Sequence, residues 1–308
     1  DLMLKDGGHI YENQTGDAAC DQYHRYKEDV QIMKEMGMKA YRFSLSWARI
    51  MPEGTGTVNE KGLKYYDNLI NELLDNGIEP FVTLYHWDLP YALHLQGGWM
   101  NPNSPSWFYE YAKVVAEHFS DRVKNFFTIN EPQCIVGLGY QTGEHAPGLK
   151  VGPSDYFRIW HNVLKAHGRA VEALREFSKQ PVKISMAPCG ALYVPETNKP
   201  EDIEAARKAN FSLPENSIGA CSWDVALCCD PVYLGQYPED ILKEFGQFFP
   251  KVTDADMKLI SQPLDFFGQN IYNAVTVRAG EDGKAVRAAR YDGFPQTAIG
   301  WPVTPEVL

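Results

Sequence analysis

Apolar and polar positions fall in alternating blocks along the chain, some at helical spacing and some as short continuous apolar runs. Residues 21–36 carry an amphipathic pattern that ends at Gly37, which predicts a first helix. Residues 40–47 (AYRFSLSW) read as a strand. Asn59 is placed to cap a second helix with Leu63, Tyr66, Leu69, Ile70, Leu73 and Leu74 on one face, closed by Gly77. Further strands are predicted at 80–85, 123–129 and 182–187, with helices at 107–119 and 155–177 between them. Helical stretches at 201–209 and 239–245 precede a fifth strand at 264–272.

Helices that alternate with short apolar strands predict an α/β fold with a parallel sheet covered on both faces. Length alone permits two domains, but no repeat, low-complexity tract or linker divides the chain, so one domain over residues 1–308 is expected. Polar or aromatic residues recur at or near the C-terminal ends of the strands: Arg42 and Trp47, His86-Trp87-Asp88, Asn130-Glu131, and Asn270 with Tyr272. That end carries the active site of a parallel barrel and binds ligands in a doubly wound sheet.

Charge narrows the partners. The net charge is −11, which argues against nucleic acid or an anionic membrane surface, since both are gripped through Lys and Arg. No apolar run approaches the roughly 18 residues of a membrane-spanning helix. The six cysteines, Cys20, Cys134, Cys189, Cys221, Cys228 and Cys229, form no CxxC pair. They read as reduced thiols and, with no leader pattern at the start, predict a cytoplasmic location. A small neutral substrate is expected, with no cofactor and no metal, and a homo-oligomer is compatible with the sequence. Gly137-Leu138-Gly139-Tyr140 is not a dinucleotide fingerprint, and neither a P-loop nor a nucleophile elbow occurs.

Glu131 ends an apolar strand between Asn130 and Pro132. In a partly dry cleft its carboxyl group would favour the protonated form and serve as a general acid. A helix cap or plain loop carboxylate is the alternative at this point. His86 is open to a base, a hydrogen-bond donor or a structural role, with no His or Cys at ligand spacing beside it. Most tryptophans, Trp160 among them, read as core. Trp87 and Trp301 lie beside polar residues and suit an aromatic wall for a sugar's apolar face.

Taken together, these segments resemble family 1 glycoside hydrolases, the β-glucosidase family. Asn130-Glu131-Pro132 after Phe127-Thr128-Ile129 resembles the family's acid/base signature. DAACDQYHRYKED from Asp17, YRFSLSWAR from Tyr41, LYHWDLP from Leu84 and Gly97-Gly98-Trp99 follow the family's order. So do His145-Ala146-Pro147-Gly148, DFFGQNIY from Asp265, and Ile299-Gly300-Trp301. The resemblance implies a (β/α)8 TIM barrel and a retaining β-glycosidase, most specifically a β-glucosidase acting on oligosaccharides, such as those of cellulose, or on aryl glycosides. It implies Glu131 as acid/base, Arg42 and Tyr272 as groups that orient the nucleophile, and His86, Trp87, Asn130, Asn270 and Trp301 as substrate-binding. The glutamine that replaces the acid/base in plant thioglucosidases of the family is not present.

Two departures stand out. The family's nucleophile lies in an I-T-E-N-G strand end, and no such segment occurs among the 308 residues. The family's first strand, with its Gln-x-Glu-Gly segment, and its last strand are also not matched. By register the chain covers about strands two to six of eight. A longer normal enzyme is the reading preferred here. An inactive barrel fragment is the second reading, and a 6-phospho-β-glucosidase is a variant within the enzyme class.

Overall fold

The computed structural model describes residues 10, 12, 14–213 and 217–307. The first helix, α1 (Gln22–Glu35), leads through Gly37, whose φ of +75° favours glycine, into β1 (Ala40–Ser44). Residue 47 begins a short helix (Trp47–Ile50) rather than ending the strand. The reason is packing: Trp47 is fully buried, stacks on Tyr111 with ring centroids 5.1 Å apart, and donates Nε1–H to the Gly54 carbonyl at 2.9 Å.

Helix α2 (Glu60–Asp75) starts where Asn59 accepts the Lys61 N–H. Its buried stripe of Leu63, Tyr66, Leu69, Ile70 and Leu73 covers the sheet, each side chain worth about 1.5–3 kcal/mol of burial. Strand β2 (Glu79–Tyr85), helix α3 (Ser104–Phe119), strand β3 (Asn125–Asn130), helix α4 (Pro153–Phe177) and strand β4 (Lys183–Ala187) continue the alternation. The four strands pair in parallel in the order β1-β2-β3-β4. Their registers, from Ala40↔Glu79 through Phe81↔Asn125 to Asn125↔Lys183, bring the C-terminal ends to one rim.

One expectation is corrected. Residues 264–272 do not form a regular strand. They run beside β4, joined by Asp265 N to the Ile184 carbonyl at 2.9 Å and Asn270 N to the Pro188 carbonyl at 2.8 Å. Side-chain bonds replace the ladder between those points: the Ile184 N–H donates to Asp265 Oδ2, and the Ser185 hydroxyl to the Phe266 carbonyl. At Gly268 the backbone comes so close to β4 that a Cβ would lie 2.4 Å from the Met186 carbonyl oxygen.

A second, small sheet lies outside the sequence prediction. Strand β5 (Tyr193–Pro195) is followed by α5 (Pro200–Phe211), and pairs in parallel with β6 (Val275–Ala279). β6 then turns back antiparallel to β7 (Ala285–Arg287). Short three- to five-residue strands give too little periodicity to read. Among the described residues no helix is long and apolar enough to cross a membrane.

Candidate active site

Both β2 and β3 leave the sheet through a residue in the left-handed region: Trp87 with φ 84° and Glu131 with φ 44°. Such backbone costs roughly 1–3 kcal/mol in a non-glycine residue and persists only where the surroundings hold it. Here the two exits are tied together, because Trp87 Nε1 donates to the Asn130 carbonyl at 2.9 Å. The Glu131 N–H in turn donates to the Ala187 carbonyl of β4 at 2.8 Å. The Glu131 side chain is thereby fixed at the rim and is 4% exposed.

Arg42 projects from within β1. Its Nε donates to Thr83 Oγ1 at 2.9 Å, its Nη2 to Asn130 Oδ1 at 2.7 Å and its Nη1 to Asn270 Oδ1 at 3.2 Å. The guanidinium also lies over the Phe127 ring, 4.4 Å from its centroid. Since a guanidinium only donates, it settles which end of each asparagine is the oxygen. Burial lowers the Arg42 pKa, and the Glu131 charge opposes that fall.

The asparagine amide nitrogens then have defined partners. Asn270 Nδ2 donates to Glu131 Oε1 at 2.5 Å and to Asn130 Oδ1 at 3.0 Å. Asn130 Nδ2 lies 3.2 Å from His86 Nε2. An amide N–H pointing at that nitrogen makes it the acceptor, so the His86 proton sits on Nδ1. Burial and the positive charge of Arg42 both hold the His86 pKa below its usual value, in keeping with a neutral ring.

Tyr272, 62% exposed as a residue, donates its hydroxyl to Glu131 Oε1 at 3.2 Å. Partial burial, with the Glu131 charge next, pushes its pKa up to about 12, so it remains a donor. The Trp301 ring is 5.5 Å from that of Tyr272 and forms an exposed aromatic edge. Tyr272, expected to orient a nucleophile, here joins Asn270 in donating to the acid/base candidate. Trp87 is partly buried and packs near His145 at 5.3 Å. It lines a cavity of about 490 Å³ with Tyr85, Trp99, Cys134 and Tyr140. Its lining does not include Glu131, Arg42 or Asn130, though Cys134, which bonds Glu131, belongs to it.

The other carboxylate oxygen meets sulfur. Cys134 Sγ donates to Glu131 Oε2 at 3.2 Å, and Cys189 Sγ stands 4.0 Å from Cys134 Sγ. Spacing alone disclosed no ligand set, yet the fold gathers Glu131, Cys134 and Cys189 with their ligand atoms within 4.8 Å of one another. Cys134 follows Glu131 by three residues and was readable. Cys189 is 55 residues further on and enters only because β3 and β4 are neighbours. Thr83, which anchors Arg42, was missed for the same reason.

The arrangement presents one buried carboxyl group, a neutral imidazole N–H, amides and an aromatic edge around a strand-end rim, which suits proton transfer to a polyhydroxylated substrate. The profile described as "Glycosyl hydrolase family 1" matches residues 1–306. "Beta-glucosidase A" of Thermotoga maritima is 44% identical over 97% of this chain and 64% of its own length. A "1,4-beta-D-glucan glucohydrolase" of Thermotoga neapolitana is 41% identical over 97% of this chain and 68% of its own. The solved β-glucosidase of Thermotoga maritima in complex with glucoimidazole superposes with a TM-score of 0.84 at 43% identity, over 97% of this chain and 65% of that one. The chain thus spans about two thirds of the length of these relatives. By profile, identity and superposition alike, the chain belongs to glycosyl hydrolase family 1.

Proposed function

We propose that these residues form the acid/base side of a retaining β-glucosidase. The family fold is a (β/α)8 barrel, and β1 to β4 supply four consecutive parallel strands of that architecture. The observation that carries the reading is Glu131: buried at the strand-end rim and held through Oε1 by Asn270 and Tyr272.

In the proposed reaction Glu131 protonates the departing glycosidic oxygen, then deprotonates water in the second half. The His86 Nδ1–H is free of the Asn130 bond and donates to a sugar hydroxyl. Trp301 and Tyr272 offer aromatic faces to the apolar face of the substrate. Double displacement also needs a nucleophilic carboxylate about 5–5.5 Å from Glu131. No residue of the 308 stands in the family's nucleophile motif, so the proposal requires that group from outside them.

Relatives named β-glucosidase and 1,4-β-D-glucan glucohydrolase support a terminal β-glucosyl substrate over a 6-phosphoglucosyl one. Oligosaccharides of the cellulose type are the proposed natural substrates. The six free cysteines fit a reducing compartment such as the cytoplasm.

The test is Glu131→Gln. Turnover of cellobiose, whose leaving group needs a proton, should fall by roughly 10³-fold or more, while the first step on an aryl glucoside with a strongly acidic phenol is spared. Unchanged cellobiose turnover would contradict the assignment.

A further inference from the structure

The mechanism above uses one oxygen of Glu131 for Asn270 and Tyr272 and leaves the other facing two thiols. Among the described residues Oε2 receives no N–H; its partner is Cys134 Sγ at 3.2 Å, with Cys189 Sγ 4.0 Å from that sulfur. All three residues are buried, at 4%, 7% and 6% exposure. They sit on two adjacent strand exits, Glu131 and Cys134 after β3 and Cys189 after β4. Each exit is held by its own backbone N–H, Glu131 N donating to the Ala187 carbonyl and Cys189 N to the side-chain Oε1 of Gln133. The cluster is therefore assembled before any ligand arrives.

We propose that Glu131, Cys134 and Cys189 form a binding site for a thiophilic divalent cation of the Zn²⁺ type, and that its occupation switches off the acid/base.

The distances suit such an ion. A tetrahedral zinc with Zn–S of about 2.3 Å and Zn–O of about 2.0–2.2 Å sets its sulfurs about 3.8 Å apart and each sulfur about 3.5 Å from the oxygen. The observed 4.0 Å between the sulfurs and 3.2 Å from Cys134 Sγ to Oε2 differ from these by a few tenths of an ångström. All three ligand atoms lie within 4.8 Å of one another, so Cys189 closes on the ion by a small side-chain shift. Two thiolates and one carboxylate favour zinc-like ions over Mg²⁺ or Ca²⁺, which prefer all-oxygen shells. Three protein ligands leave a fourth position for water. Cys134 also lines the cavity that Trp87, Tyr85, Trp99 and Tyr140 border, so the cluster adjoins open space.

Binding exchanges protons for the metal. Two thiols release two protons to solvent, and two sulfur–metal bonds and one oxygen–metal bond form, with no change of oxidation state. Of the three ligands, Glu131 is the one whose charge reaches the Arg42 guanidinium. Once Oε2 is a ligand, Glu131 is held ionised and has no proton to give.

Metal binding does not depend on the glycosidase reading; the loss of activity does. The experiment separates them. Reduced protein is titrated with Co²⁺ as a spectroscopic probe and with Zn²⁺, with glucoside hydrolysis followed in parallel. The expected result is one Co²⁺ with sulfur-to-metal charge-transfer absorption and tetrahedral visible bands, displaced by Zn²⁺. Zn²⁺ should also protect two thiols of the parent from a thiol reagent, a readout that needs no variant. Cys189→Ser and Cys134→Ser should each weaken Zn²⁺ inhibition by at least about 100-fold and remove the charge-transfer band. Absorption and inhibition that persist in both variants would overturn the site. A charge-transfer band with undiminished hydrolysis would leave the site standing and overturn the role given to Glu131.

Discussion

Arg42 Nη2 lies 2.7 Å from Asn130 Oδ1 while its Nη1 lies 3.2 Å from Asn270 Oδ1, so one guanidinium fixes the orientation of two amides from separate parts of the chain. Asn270 then donates to Glu131 and Asn130 to His86. The acid/base candidate and the neutral imidazole are thus set by one cation that acts on both through the two asparagines.

Arg42→Lys keeps the charge but loses the planar fork that spans the two oxygens. We expect kcat/KM to fall roughly 10²–10³-fold, about 3–4 kcal/mol, the cost of removing one preorganised electrostatic contact. Steady-state kinetics on an aryl glucoside checks this, and a loss under threefold would contradict the role.

His86 should show the same dependence by titration. Burial and the Arg42 charge both hold its pKa below the usual value. An NMR titration should find the midpoint below about 6.5 and the proton on Nδ1 at neutral pH. In Arg42→Gln the midpoint should move upward, because the repelling charge is gone.

Gly268 allows the segment carrying Asn270 and Tyr272 to lie against β4. In Gly268→Ala the new Cβ would stand 2.4 Å from the Met186 carbonyl oxygen and 2.7 Å from Phe127 Cε1. Neither neighbour is a flexible chain end, so the segment must lift. We expect a destabilisation of about 1–3 kcal/mol in denaturant unfolding, with hydrolysis reduced by more than the folded fraction explains.

The buried His167 sets a pH limit on stability. Its Nδ1 is 2.7 Å from Thr128 Oγ1, and burial lowers its pKa to about 4. The unfolded imidazole titrates near 6.5, so below that pH the unfolded chain binds the extra proton first. The stability from neutral His167 is whole above pH 6.5 and is lost as pH falls toward 4. Relative to His167→Gln, the parent should lose up to about 3 kcal/mol over that window. A pH-independent difference between the two would contradict it.

Much of this was legible because the chemistry and the periodicity coincide. The apolar stripe of α2, the Asn59 cap and the run ending at Asn130-Glu131 announce element and site together. Legibility failed where tertiary contacts override local pattern. Residues 264–272 look like a strand, yet Asp265 and Ser185 side chains replace the ladder and Gly268 brings the backbones too close. Trp47 continues a strand pattern but turns inward to stack on Tyr111. Cys189 carries no local signal, since its meeting with Cys134 exists only through the pairing of β3 with β4.

The central claim is that Glu131 gives and takes the proton at the glycosidic bond. Its most direct test is rescue of Glu131→Ala by azide with an activated aryl β-glucoside. Removal of the carboxylate should stall deglycosylation, because water loses its general base. Azide needs none and should restore turnover by roughly 10²-fold or more, the scale of one lost base. The product should be the β-glucosyl azide, with the anomeric configuration retained. No acceleration by azide, or an α-configured product, would contradict the account.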